Sequence, residues 1–292
     1  MDPFAEQLGF TPAWFAAGVV NDEILARIKT VWEESDDRNT EHYRWGAFCD
    51  FVKSRPTLTP ELANELYSLG NNDPNPSMGG CLMARVLGMP GSPRSLIDAA
   101  RKSNRPHVAK IAERLRLYYY VGPADLARLA TAESPRQSLG SAASALQLWR
   151  QYFPSFKPGR HNAGSADSLT VTFVVQGAAI LVADRHSEHI ACARGEPVNS
   201  AGELTLALNK HGQPLVITEI SNQSTGFCPE PASWFAVQHA LQSTGIQHPQ
   251  NFTNALIFRR CPSCRATNVV KDHWLHCEVC GAELPAEWNF AD

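Results

Sequence analysis

SLTVTFVVQ, residues 168–176, opens a series of short β-branched runs that continues with AAILVADRH (178–186), EHIACAR (188–194), ELTLALN (203–209) and PLVITEIS (214–221). Runs of this length, rich in Val, Ile, Leu and Thr, have the character of strands. Gly177, Gly195, Gly202 and Gly212 fall between or beside them, so the expected arrangement is an antiparallel meander or a small barrel. A single helix is expected to follow at about 231–244, with Trp234, Val237 and Leu241 on one face and Gly245 as its stop. The β-rich domain is therefore assigned to residues 168–255.

Upstream the pattern is different. PSFKPGRHNAGSAD (154–167) is rich in Pro, Gly and small polar residues and reads as a linker. Residues 1–153 lack sustained alternation and read as short helices separated by Pro, Gly and Asn. Asn21 is a good N-cap, followed by Asp22 and Glu23 in the first turn and by Ile24, Leu25, Ile28, Val31 and Trp32 at helical spacing. Thr59-Pro60-Glu61 repeats that logic, and Ser134-Pro135-Arg136-Gln137 has capping-box spacing. Further helices are expected near 40–53, 60–69, 76–88, 93–103, 106–119, 123–131 and 135–153. No fixed repeat period survives counting, so this half reads as a repeat-like or irregular helical bundle.

Downstream, NALIFRR (254–260) reads as a strand leading into CPSCRATNVVKDHWLHCEVCG (261–281). Cys261, Cys264, Cys277 and Cys280 form two CxxC pairs. The residues between the pairs are enough for one strand to leave the first knuckle and another to return to the second. Four thiolates close a tetrahedral shell, so one structural Zn2+ per chain is expected in a C-terminal zinc ribbon, 256–292. His273 and His276 lie near enough to compete as ligands, but the four cysteines already complete the set. Cys49, Cys81, Cys192 and Cys228 stand singly and read as small buried hydrophobes. The expected fold class is α+β multidomain, with a helical domain, a small antiparallel β-rich domain and the ribbon.

Composition limits the function classes. The 292 residues are 43% hydrophobic and 19% charged, with a formal charge of -3, which removes the electrostatic case for a dedicated nucleic-acid coat. No apolar run approaches the roughly 18 residues of a spanning helix. MDPFAEQLGF carries no basic segment ahead of an apolar stretch, so a secretory signal is not expected and the reading is cytosolic.

The stretch from His186 to Pro229 concentrates polar residues at expected strand ends. His186-Ser187, Gly195, Ala201-Gly202-Glu203 and Ser224 to Pro229 form a pattern that resembles one in plant IQ-motif-containing proteins and in some bacterial proteins. This chain departs from it at Thr225, between Ser224 and Gly226, and at Cys228 after the aromatic Phe227. The resemblance implies a shared β-domain rather than a reaction. Taken whole, with its four-cysteine ribbon, the chain also resembles a bacterial family of unassigned role. His186 and Glu203 could divide acid and base work, with Ser224 or Thr225 as nucleophile or positioning hydroxyl. The competing reading is turn chemistry, with Glu203 and Ser224 bonding turn amides.

A basic stretch, Arg101, Lys102, Arg105, Lys110, Arg114 and Arg116, faces only Asp98 and Glu113 nearby. It reads as a solvated helix face, or as one that could meet an acidic partner or a nucleic-acid backbone. The leading expectation is a cytosolic bacterial adaptor or regulatory protein that binds a protein partner. An enzyme on the β-domain rim and a nucleic-acid-binding protein are the alternatives.

Overall fold

The computed structural model describes residues 58–72, 76–89, 91–152, 168–208 and 215–290. The linker expected at 154–167, the helices expected at 21–32 and 40–53, and Cys49 lie outside these residues. Contacts divide the chain into two compact units, Met1–Leu115 and Arg116–Asp292.

In the first unit the described elements are α1 (Pro60–Asn72), α2 (Pro76–Leu87), α3 (Arg94–Ala100) and α4 (Pro106–Leu115). The Thr59 Oγ1 accepts the Leu62 amide at 3.3 Å, the capping bond that the Thr-Pro-Glu start calls for. Leu62, Leu66, Leu82, Met83, Val86, Leu96, Val108 and Ala112 share one core. Several of the basic residues are used internally. The Arg105 guanidinium donates to the Gly70 and Asn71 carbonyls at 3.1 Å each, capping the C-terminus of α1. Arg101 pairs with Glu113 at 2.8 Å and lies 3.8 Å from Asp98.

The second unit contains α5 (Ala124–Ala127), β1 (Gln137–Ser138), α6 (Ala142–Tyr152), β2 (Ser168–Gln176), β3 (Ala179–Asp184), α7 (His189–Cys192), β4 (Ser200–Leu208), β5 (Leu215–Ser221), a 3-10 turn Pro231–Ser233, α8 (Trp234–Gln242), β6 (Ile257–Arg260) and β7 (Thr267–Val270). Residues 116–152 thus belong with the sheet, although their composition groups them with the helices before them. Five strands form an antiparallel sheet in the order β1-β3-β2-β4-β5, so β2 occupies the centre rather than the edge of a meander. Both faces of β2 are covered. Val171, Phe173 and Val175 pack under α6 and α8, and Val174 packs with Tyr118, Ile190, Val198 and Phe227 on the other side. That double burial explains why the strand reads as a continuous apolar run and not as an alternation.

Three local expectations are corrected. EHIACAR forms α7, not a strand: its alanines favour helix, and Arg194 (φ 55) and Gly195 (φ 82) close it, with the Gly195 amide donating to the Ile190 carbonyl. The β-rich stretch therefore carries more than one helix. The expected helix at 106–119 stops at Leu115, after which Tyr118 enters an isolated antiparallel bridge with Val198 and is fully buried. Ser134 does not start a helix, because its hydroxyl closes a local turn on Thr131 and Leu129 while Gln137–Ser138 pairs with β3. Helix α6 starts later, where the amides and hydroxyls of Ser141 and Ser144 bond reciprocally.

Gly202 sits where β5 ends and its backbone turns across β4. A Cβ there would lie 1.9 Å from the Ser221 carbonyl oxygen. Gly202→Ala must therefore displace backbone, not a flexible side chain, and is expected to lower unfolding stability by about 1–3 kcal/mol. Urea denaturation of the two proteins measures it, and an unchanged midpoint would contradict the close approach.

Candidate metal centre

The ribbon is built from two turns that repeat one design. In the first, the Cys261 amide donates to the Ala266 carbonyl (2.9 Å), the Arg265 amide to the Cys261 carbonyl (3.0 Å), and Arg265 has φ 66. In the second, the Cys277 amide donates to Ala282 (2.8 Å), the Gly281 amide to Cys277 (2.9 Å), and Gly281 has φ 74. Each turn needs a left-handed residue to bring its two sulfurs to one side, and glycine adopts that conformation without cost. The ligand sulfurs of Cys261, Cys264, Cys277 and Cys280 lie within 4.8 Å of one another, a set that could hold a metal ion. Neither His273 nor His276 belongs to this group, and both are exposed.

Backbone amides tune the sulfurs. The Cys264 amide donates to the Cys261 Sγ at 3.4 Å and lowers that thiol's pKa. Burial raises Cys277, but the Cys280 and Val279 amides outweigh it and bring the thiol down to about 6. Both effects favour thiolate, the form that ligates metal. Asn268 ties the turns together. Its Nδ2 donates to the Ala266 carbonyl at 2.9 Å and its Oδ1 accepts the Glu278 amide at 3.0 Å, with the residue 4% exposed. Asn268→Ala is expected to weaken metal binding about tenfold or more while leaving the four ligands in place; competition with a chromophoric chelator reads this directly, and equal affinities would contradict the bridging role.

A buried ionic and aromatic network joins the ribbon to the sheet. The Arg116 guanidinium lies over the rings of Tyr118 (4.7 Å) and Trp288 (4.3 Å), which meet edge-to-face, and bonds Glu230 at 2.7 Å. Arg259 stands 3.5 Å from the other Glu230 oxygen and donates to the Pro285 and Ala286 carbonyls at 3.1 Å each. Trp288 Nε1 donates to the Cys228 carbonyl at 2.8 Å. Arg116 is thus a buried structural residue, not part of a solvated basic face.

The rim residues are placed as follows. Thr172, Glu203 and Ser221 stand in one cross-strand row, and the Thr172 hydroxyl is shared between the Arg185 and Ser187 carbonyls, so the loop bearing His186 crosses the same end of the sheet. His186 is exposed, and its amide donates to Asp184. Ser224 follows β5 and is buried with no partner on its Oγ, while Thr225 is exposed. No hydrogen bond joins any two of His186, Glu203, Ser224 and Thr225. The histidine with a distinct environment is His189, whose Nε2–H donates to the Gly202 carbonyl at 3.0 Å and whose pKa desolvation lowers to about 4. Its neighbours Ile190 and Cys192, buried beside it, are the sequence signal that set it apart from His186.

Because the folded pKa of His189 lies below its ordinary 6.5, the neutral ring's contribution to stability is complete above that value and is lost as pH falls towards 4. At about 1.4 kcal/mol per unit, the loss approaches about 3 kcal/mol. Urea unfolding at pH 7.5 and 4.5 is expected to show a smaller acid loss in His189→Gln than in the unmodified chain; equal losses would contradict this.

Of the scattered cysteines, Cys192 and Cys228 are buried as expected, whereas Cys81 is exposed on α2. No helix among the described residues is long and apolar enough to cross a membrane. No family model, curated protein or solved structure matches the chain.

Proposed function

We propose that this protein is an adaptor whose C-terminal ribbon holds one structural Zn2+ and engages a protein partner. Zinc is favoured over other metals by the donor set, because four thiolates in two tight turns suit a tetrahedral, redox-silent ion. A closed set of four sulfurs leaves no position for substrate, so the metal's role is to fold the ribbon. The observation that carries the adaptor reading is Trp274, 66% exposed on a ribbon otherwise tied down by the Arg116–Glu230–Arg259 network. A large aromatic held in water by a rigid module is characteristic of a recognition surface.

The enzyme reading keeps one specific support, the buried unpaired Ser224 hydroxyl, which follows Ser221 of the Glu203 row in the chain. One experiment separates the two. The tagged full chain, its Trp274→Ala variant and a His186→Ala/Glu203→Gln double variant are incubated with native cytosol, and retained molecules are identified by mass spectrometry beside metal analysis. The adaptor reading expects one zinc per chain and a stoichiometric partner kept by the double variant and lost with Trp274→Ala. A small molecule trapped only by the double variant would replace it with the enzyme reading.

A further inference from the structure

Trp274 does not stand alone on the ribbon. Its ring stacks on His276, with centroids 4.5 Å apart and planes at 30°. His276 in turn pairs with Glu283 across an antiparallel bridge, which puts the Glu283 carboxylate on the same face as the aromatic pair. The turn before Trp274 is fixed: the Trp274 amide donates to the Lys271 carbonyl at 2.8 Å, and Asp272 (φ 49) and His273 (φ 59) are both left-handed. One side of the indole is covered by imidazole, and the other meets solvent.

The exposed charge of the ribbon is net negative. Arg259 is buried against Glu230 and the Pro285 and Ala286 carbonyls, and Arg260 is half-buried over Phe290 with a bond to the Val121 carbonyl. The ribbon's exposed charges are then Arg265 and Lys271 against Asp272, Glu278, Glu283 and Glu287. An aromatic ledge with Glu283 beside it, on a module whose exposed charge is net negative, favours a cation over a phosphate.

We infer that the Trp274–His276 ledge, with Glu283 beside it, is the docking site for a basic segment of a protein partner, an arginine of which stacks on the open indole face and pairs with Glu283. Arginine fits better than lysine, because its planar guanidinium stacks on an aromatic ring while its edge donates two parallel bonds to a carboxylate. This rests on the reading of the ribbon as a partner-binding module and names the partner's chemistry.

A random-peptide selection against the zinc-loaded full chain tests it. Enriched peptides are expected to carry arginine. Their affinity is expected to fall about tenfold with Trp274→Ala and with Glu283→Gln, to weaken as salt rises, and to weaken when the peptide arginine becomes lysine. Both substitutions are at exposed positions, and unchanged zinc content and melting temperature confirm that the variants are folded. Enrichment of acidic peptides, no enrichment at all, or binding by single-stranded RNA in its place would overturn the inference. Self-association abolished by Trp274→Ala would overturn it too, naming a second copy as the occupant. Arginine peptides indifferent to both variants would remove this face while leaving the adaptor reading intact; loss of zinc dependence altogether would remove the adaptor reading.

Discussion

Cys261→Ser or Cys280→Ser is expected to abolish stoichiometric metal binding and to unfold the ribbon. The small apolar cluster at its centre consists of Cys261, Cys277 and Leu284, with Ala266, Val270, Leu275 and Ala282 partly buried around it. Such a core buries too little surface to offset the ordering of the two turns, residues 261–284, without metal. Metal binding is therefore expected to supply the folding free energy, on the order of 10 kcal/mol for four-ligand zinc sites at neutral pH. Limited proteolysis reads the outcome: cuts within 261–281 are expected in the variants and in the chelator-treated chain, and not in the metal-loaded protein. Because the ligands bind as thiolates, acidification is expected to release the metal. A metal-free chain with the same protection pattern would show that the two turns fold by themselves.

The second large effect is expected at Glu230. Its carboxylate is the shared partner of two guanidiniums, with the Arg116 side chain 6% exposed and that of Arg259 8%. Removing the acid leaves two cations in a poorly solvated site. Breaking a buried pair in this way costs about 3–5 kcal/mol, more than the intact pair is worth against an apolar replacement. Glu230→Gln keeps the shape and removes the charge. It is expected to lower the melting temperature by about 10 °C, at about 2–4 °C per kcal/mol for a unit of this size. Arg116→Met should cost less, since Glu230 keeps Arg259 and a flexible thioether refills the space over Tyr118 and Trp288. If Glu230→Gln melted with the unmodified chain, the network would be ornamental.

How much of this was legible before the structure depends on the range of the interaction. The clustering of Cys261, Cys264, Cys277 and Cys280 was, because CxxC spacing is a local constraint and two copies of it bring four sulfurs together. The four strands β2 to β5 were, because β-branched runs bounded by glycine carry their own signal, whereas EHIACAR, with two alanines and no β-branched residue but Ile190, gave a helix. The start of α1 at Thr59 was, whereas Ser134, with the same capping pattern, was claimed by a turn and by pairing with β3. Strand order was not legible: β4 joins β2 on the side away from β3, and no residue in either hairpin announces that choice. The Arg116–Glu230 bond was beyond reach for the same reason, since it spans 114 positions and Arg116 looks locally like the end of a basic helix. For His189 the apolar neighbours Ile190 and Cys192 signal burial in the sequence, but the Gly202 carbonyl that meets its ring shows only in the fold.

The two buried single cysteines have a practical consequence. Burial pushes the thiols of Cys192 and Cys228 up to about 12, so alkylating reagents at mild pH find little thiolate there. Exposed Cys81 labels at any metal content, while the four ribbon sulfurs label only when no ion holds them. Among the described cysteines, the mass added by iodoacetamide therefore counts empty ribbons in steps of four, turning a routine reagent into a gauge of metal loading in the intact chain.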